Sequence, residues 1–125
     1  MTKSTFPASV GQLHSMLQFV SGNALQAGFE SDQILQIELA LEEAIVNIIE
    51  YGYKQAQGCL EIHCFPVDKG LQVKLVDAGM PFNPLMPLEV MPKGGYGILL
   101  ITKIMDSLKY EYRDGQNILM LTKFH

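Results

Sequence analysis

The chain has 125 residues and a mass of 13.9 kDa, which fits one domain spanning 1–125, large enough to bury a core without disulfide or metal staples. Hydrophobic residues make up 48% and charged residues 18%, a balance that excludes a disordered tail or solvated linker. A formal charge of -4 with a pI near 5.2 gives no general attraction to phosphate backbones or anionic lipid, so direct nucleic-acid and membrane partners are not expected.

Ser9 with Gln12 three residues on forms a capping-box pattern, followed by Val10, Leu13, Leu17, Val20 and Ala24 at helical spacing. An amphipathic helix over about 10–27 follows, with Gly28 as its C-terminal cap. Ser31 or Asp32 opens a second helix, over about 32–51. Its core stripe is Ile34, Ile37, Leu41, Ala44 and Ile48, while Gln36, Ala40, Glu43, Asn47, Glu50 and Lys54 fall along a second line. Two strands come next, 59–67 and 71–77, joined by the turn Asp68-Lys69-Gly70. From Met80 to Lys93 the chain carries Pro81, Pro84, Pro87 and Pro92, which predicts a loop. Gly94-Gly95-Tyr96-Gly97 ends it and opens a third helix bearing Ile98, Leu99, Ile101, Ile104, Met105 and Leu108. Strands over 109–113 and 117–124 flank the hairpin signal Asp114-Gly115. This order predicts an α+β fold, with helices covering one face of a mixed or antiparallel sheet.

Cys59 and Cys64 sit five apart in an extended run, pointing to opposite faces, so they are expected to be reduced core or half-buried thiols. His14, His63 and His125 have no metal-ligand spacing and are expected to be structural or exposed. The N-terminus lacks signal-peptide regions, and no apolar run reaches the roughly 18 residues of a membrane span. A cytoplasmic protein is the expectation.

Three segments look chosen for something other than packing. Glu43 and Asn47 are four apart on one helix face; an amide oxygen suits a hard cation such as Mg²⁺, and the carboxylate is then free to accept a proton. Asp77-Ala78-Gly79-Met80-Pro81-Phe82-Asn83-Pro84 ends a hydrophobic strand. There an aspartate can accept a hydrogen bond from an exocyclic amine, and Gly79 lets a ligand approach the backbone. Gly94-Gly95-Tyr96-Gly97 presents free backbone N–H groups at a helix start, a place suited to phosphate. It is neither a Walker A loop nor a dinucleotide fingerprint, because no Gly-Lys-Ser/Thr follows and no strand directly precedes it.

In this order and spacing, Glu43 to Asn47 with Gly52-Tyr53, then Asp77 to Pro84, then Gly94 to Gly97, the chain resembles the N, G1 and G2 boxes of the gyrase, Hsp90, histidine kinase and MutL (GHKL) ATPase superfamily. The likeness runs from about Phe6 to Lys123 and is strongest to the stand-alone anti-sigma-factor serine kinases. The resemblance implies the Bergerat sandwich of that superfamily, containing a left-handed βαβ unit. It also implies ATP and Mg²⁺ as cofactors. By the same resemblance Asn47 ligates the metal, Asp77 accepts from the adenine amine, Gly79 shapes the adenine pocket, Gly95 and Gly97 wrap the phosphates, and Glu43 is the general base. The implied activity is a protein serine/threonine kinase in a partner-switching module, phosphorylating a STAS-type anti-anti-sigma protein and engaging a sigma factor or another regulator. Homodimerisation is also suggested by the family. Two departures stand out. Tyr51 occupies the place where relatives usually have His, and the lid carries one cation, Lys93. The alternative is a nucleotide-binding interaction module that has lost phosphotransfer.

Overall fold

The computed structural model describes residues 1–53, 57–83 and 95–125. Lys54, Gly94 and most of the proline-rich segment, including Lys93, lie outside the described residues. The elements in chain order are β1 (Thr2–Pro7), α1 (Leu13–Gln26), α2 (Ser31–Asn47), β2 (Cys59–Val67), β3 (Gly70–Asp77), α3 (Gly95–Ile104), β4 (Ser107–Arg113) and β5 (Gln116–Phe124). A 3-10 turn, Val10–Gln12, leads into α1, and a π-helical turn, Ile48–Gly52, extends α2.

The strands form one antiparallel sheet in the order β1-β2-β3-β5-β4. Since β3 and β4 both run antiparallel to β5 between them, they are parallel to each other, and α3 lies in the crossover that joins them. Register sets the core. Ile62, Leu75 and Leu119 are directly opposite one another, as are Cys64, Val73 and Leu121, and all six are buried. They meet Met16, Val20, Ile37, Leu41, Ile45 and Ile101 from the three helices. Burying each large aliphatic side chain contributes roughly 1.5–3 kcal/mol, so this single interface of sheet and helices dominates the stability. The alternate positions, including Glu61, His63, Gln72, Lys74 and Lys109, carry the polar side chains of the other sheet face, as period-2 alternation requires. Helices on one face of an antiparallel sheet is the architecture expected from the sequence.

Several boundaries differ from that expectation, each for a local reason. β1 was not anticipated: Thr2–Pro7 is polar and ends in proline, and it becomes a strand only by pairing at the sheet edge with Cys59–Cys64 of β2. The Ser9/Gln12 capping box does not form, because Ser9 makes no side-chain cap and its carbonyl instead accepts from Gln12 N at 3.0 Å in the 3-10 turn. At the other end of α1, Gly28 adopts φ 98, and Gly28 N bonds Leu25 O (3.1 Å) while Phe29 N bonds Ala24 O (3.2 Å). That is a Schellman cap, available to glycine at no steric cost. Glu30, one residue before the expected cap, precedes α2, and the Gln33 side chain accepts from its N–H at 3.1 Å. α3 stops at Ile104 instead of reaching Leu108, because Asp106 N turns to Thr122 O (2.8 Å) and brings the chain into β4. The second line along α2 is not one polar face: Ala40 is fully buried, Asn47 is buried and Glu50 is exposed. The π turn, closed by Tyr53 N to Ile48 O at 3.1 Å, changes the helical phase after Asn47.

Both cysteines are free, and they point to opposite faces of β2. Cys64 is in the core, where burial pushes its thiol up to about 12; Cys59 is exposed. His14 is exposed, His63 pairs with Glu61 at 3.1 Å, and His125 meets the edge of Phe29.

Candidate functional site

The register that builds the core also places a polar row at its end. Leu60, Asp77 and Asn117 are directly opposite one another on β2, β3 and β5, so Asp77 and Asn117 face the helices. Both are buried, at 4% exposure each. Asp77 Oδ1 accepts from Gly79 N and from Asn117 Nδ2, each at 3.0 Å. Burial raises the Asp77 carboxyl above the usual carboxylate range, and these two bonds pull it back only in part. Among the described residues no hydrogen bond reaches Oδ2. One carboxylate oxygen is committed to the fold and the other is free to accept.

In the sequence Asn117 marks only the start of a strand. Its Nδ2 also donates to Met80 O (2.9 Å) and Gly79 O (3.3 Å), and its Oδ1 accepts from Phe82 N (2.9 Å) and from the Tyr110 hydroxyl. One amide thus fastens residues 77–82 to the sheet. The signal available in the sequence was an asparagine at the head of the apolar run Ile118-Leu119-Met120-Leu121.

The end of α2 closes on this turn. A Cβ on Gly79 would stand 3.1 Å from Asp77 Oδ1, 3.2 Å from Gly52 O and 3.3 Å from the Tyr53 ring, so glycine is what allows the approach. Tyr53 is a latch: its hydroxyl donates to Cys59 O at 2.6 Å and accepts from Ala78 N at 3.1 Å. Burial raises the Tyr53 hydroxyl above its ordinary value, which keeps it a neutral donor. Tyr51 stacks on Phe82 with ring centroids 6.0 Å apart.

Asn47 lies just before the π turn, 2% exposed, and its Nδ2 has no hydrogen-bond partner among the described residues. The Tyr51 hydroxyl, four residues on, is likewise buried and unpartnered among them. Leaving such a group unpaired costs about 1–3 kcal/mol each, so both are atoms that a ligand would satisfy. Glu43 is half-buried one helical turn before Asn47, with no hydrogen bond or ion pair among the described residues. Gly95 and Gly97 fall in the first turn of α3, where backbone N–H groups have no intrahelical partner, and α3 packs against α2.

The structure therefore joins Asp77, Gly79, Gly52, Tyr53, Phe82 and Asn117 by direct contact. Among the described residues no hydrogen bond ties Glu43, Asn47 or the α3 glycines to that cluster. A cavity of about 210 Å³ borders Asp77, Ala78 and Tyr53. A larger one, about 730 Å³, lies between Pro7–Val10, Ile49 and Gln57–Cys59 and contains none of the sequence-derived site residues. Chemistry and buried orphans outweigh cavity size here, and they favour the Asp77 end. Among the described residues there is no group of three His, Cys, Asp or Glu side chains able to hold a metal. A single amide oxygen fits Mg²⁺ when phosphate and water oxygens complete the shell. No helix among the described residues is long and apolar enough to cross a membrane.

Comparison with known proteins adds to this geometry. The sequence profile of the histidine kinase-like ATPase domain matches residues 6–123. Serine-protein kinase RsbW of Bacillus thuringiensis (strain Al Hakam) is 28% identical over 117 residues, covering 84% of this chain and 72% of the relative; RsbW of Bacillus anthracis matches to the same extent. The solved structure of the RsbU and RsbW domains of Rv1364c from Mycobacterium tuberculosis superposes with a TM-score of 0.66 at 13% identity, over 99% of this chain and 32% of that one. The Acinetobacter baumannii histidine kinase AdeS gives 0.57 at 15% identity, over 99% of this chain and 68% of that one. With the α+β architecture and a profile match over nearly its whole length, the chain belongs to the histidine kinase-like ATPase domain family.

Proposed function

We propose that this chain is an ATP- and Mg²⁺-dependent protein serine/threonine kinase of a cytoplasmic partner-switching module. Its substrate is a STAS-type anti-anti-sigma protein, and it also engages a sigma factor or another regulator. The observation that carries the reading is Asn47, buried one turn from Glu43 on α2, whose unpartnered Nδ2 is a donor for a ligand oxygen and whose Oδ1 is the atom that would take Mg²⁺. The likeness to a serine-protein kinase, RsbW, supports the kinase part of the reading, and the partner is what the resemblance of the three boxes implies.

Each residue has a role that follows from its setting. Asp77 Oδ2 accepts from the adenine amine while Oδ1 stays bound to the fold. Gly79 leaves the floor of the pocket open. Backbone N–H groups at Gly95 and Gly97 receive phosphate oxygens at the start of α3. Asn47 would hold Mg²⁺ through its amide oxygen, and the bound ion would neutralise charge on the phosphates. Glu43 takes the proton from the substrate hydroxyl as that oxygen bonds to the γ-phosphorus, and the bond from that phosphorus to the β,γ-bridging oxygen breaks so that ADP leaves.

Glu43→Gln tests the assignment, because it keeps shape and hydrogen-bonding capacity and removes only the base. ATP and partner should bind as in wild type, while transfer of labelled phosphate to a copurified partner falls roughly 10²- to 10⁴-fold. Transfer at the wild-type rate would exclude Glu43 as the base. A second reading, nucleotide binding without phosphotransfer, is favoured by Tyr51, a neutral phenol stacked on Phe82 where relatives usually carry His. It prevails if the wild-type protein binds ATP and partner yet transfers no phosphate.

A further inference from the structure

Charge is divided unevenly along this chain. No lysine or arginine occurs between Lys3 and Lys54, whereas that stretch holds Glu30, Asp32, Glu38, Glu42, Glu43 and Glu50. The helical pair α1 and α2 therefore carries no cation, its carboxylates all lie on α2 and the residues beside it, and because the whole chain carries only -4, the remainder is net positive. The same surface leaves leucines in solvent. Leu35 is 65% exposed and Leu39 45%. Single exposed leucines are ordinary, but these two lie one turn apart on α2 and are grouped with Leu17 of α1 around a groove of about 360 Å³. Glu38 and Glu42 complete its walls, and Ser21 of α1 holds Glu38 through a 2.5 Å hydrogen bond. An apolar concavity rimmed by charge is the form of a protein-binding site. The groove also lies close to the proposed base, since Leu39 precedes Glu43 by one helical turn.

The charge decides what fits. A second copy would bring the same acidic rim against this one, and anionic lipid would be repelled for the same reason. A helix with leucine-like side chains at i, i+3 or i+4 spacing and Lys or Arg on its flanks matches both the floor and the rim. We propose that the α1–α2 groove docks a basic amphipathic helix of a protein partner. Its apolar side chains would rest on Leu17, Leu35 and Leu39, and its cations on Glu38 and Glu42. The proposal rests on the kinase reading only for what docking achieves, which is to bring a partner's hydroxyl group near Glu43. Docking itself requires no nucleotide.

The test uses the full chain and three labelled peptides of about 18 residues. One is a Leu/Lys helix with its leucines on one face, one has the same composition scrambled so that no face forms, and one is the Leu/Glu counterpart. Fluorescence anisotropy should show saturable binding of the facial Leu/Lys peptide, without ATP, and little binding of the other two. Leu35→Asp combined with Leu39→Asp should weaken that binding at least about tenfold, and Glu42→Lys alone should also weaken it and flatten its salt dependence. Both variants change exposed or half-exposed positions, and fluorescent ATP binding should stay at wild-type strength in each. Equal binding of the scrambled or Leu/Glu peptide overturns the proposal, as does unchanged affinity in both variants. A change of oligomeric state in the leucine variant, read by sedimentation, would show that a second copy occupies the groove and would also overturn it. Loss of phosphotransfer in the Glu43→Gln protein, with peptide binding retained, keeps this result separate from the kinase assignment.

Discussion

Asp77→Asn should weaken nucleotide binding while leaving the fold as stable as wild type or more so at neutral pH. Among the described residues two hydrogen bonds reach the Asp77 carboxylate, both at Oδ1, and an asparagine oxygen at the same position accepts both. Burial is the largest influence on the carboxyl and raises it, so burial outweighs those bonds. The sign follows. A carboxyl raised in the folded state binds its proton more tightly there than in the unfolded chain, so ionisation costs folding free energy. Wild-type stability should thus be fullest below the unfolded value of about 3.9 and decline as pH rises through the raised folded value. The asparagine variant lacks this decline, so the two stability curves should separate in its favour as pH rises and then run parallel. Nucleotide affinity responds in the opposite direction. The variant presents an amide donor where Oδ2 accepted, and loss of a charge-assisted bond of about 1.5–3 kcal/mol corresponds to roughly 10- to 150-fold weaker binding. Urea denaturation from pH 4 to 8, beside titration with a fluorescent ATP analogue, measures both effects. A variant less stable than wild type by more than about 1 kcal/mol at pH 7 would show that the negative charge supports the fold. Unchanged nucleotide affinity in a folded variant would remove Asp77 from the site.

The two buried asparagines should behave oppositely. Asn117→Ala strands the Phe82 N–H, the Met80 carbonyl and the Tyr110 hydroxyl as well as Asp77, and should cost about 2–4 kcal/mol in urea denaturation along with nucleotide affinity. Asn47→Ala removes an amide nitrogen that has no partner among the described residues, a gain of about 1–3 kcal/mol that the lost packing of a buried side chain offsets, so stability should change by less than about 1 kcal/mol. ATP titrations of that variant should lose affinity with Mg²⁺ present far more than without it; equal losses would make Asn47 a packing residue.

Most of the fold was legible because hydrophobic periodicity and turn chemistry agreed. The alternation of Leu71, Val73 and Leu75 fixes the inward face of β3, and Asp114-Gly115 turns with φ 54 and φ 76, as its composition requires. β1 was missed because its strand state comes from pairing with residues some sixty positions away, which no local pattern carries. Asp77 and Gly79 could be singled out by their place at the end of an apolar strand. Asn117 could not, because its importance depends on β5 lying beside β3, and that neighbour relation crosses α3 and β4 in the sequence. The phase change at Ile48–Gly52 was hidden as well, since the run reads as an ordinary apolar helix.

That π turn affects how this chain can be aligned with others. A π turn is geometrically equivalent to one residue inserted into an α-helix and absorbed in a wider turn, which sets every later side chain about 100° behind its place in an uninterrupted helix. Here the extra residue aims Tyr53 at Cys59 and Ala78 and lays Tyr51 on Phe82. In a relative whose helix stays regular, the residue spatially equivalent to Tyr51 stands one position nearer the asparagine than a gapless alignment indicates. Asking which side chain replaces the usual histidine is therefore a question for superposed helices. By the same geometry, deleting one residue within Ile48–Gly52 would restore a regular helix and leave the Tyr53 hydroxyl in phase with both of its partners, whereas tightening the turn to α without a deletion would swing it off them.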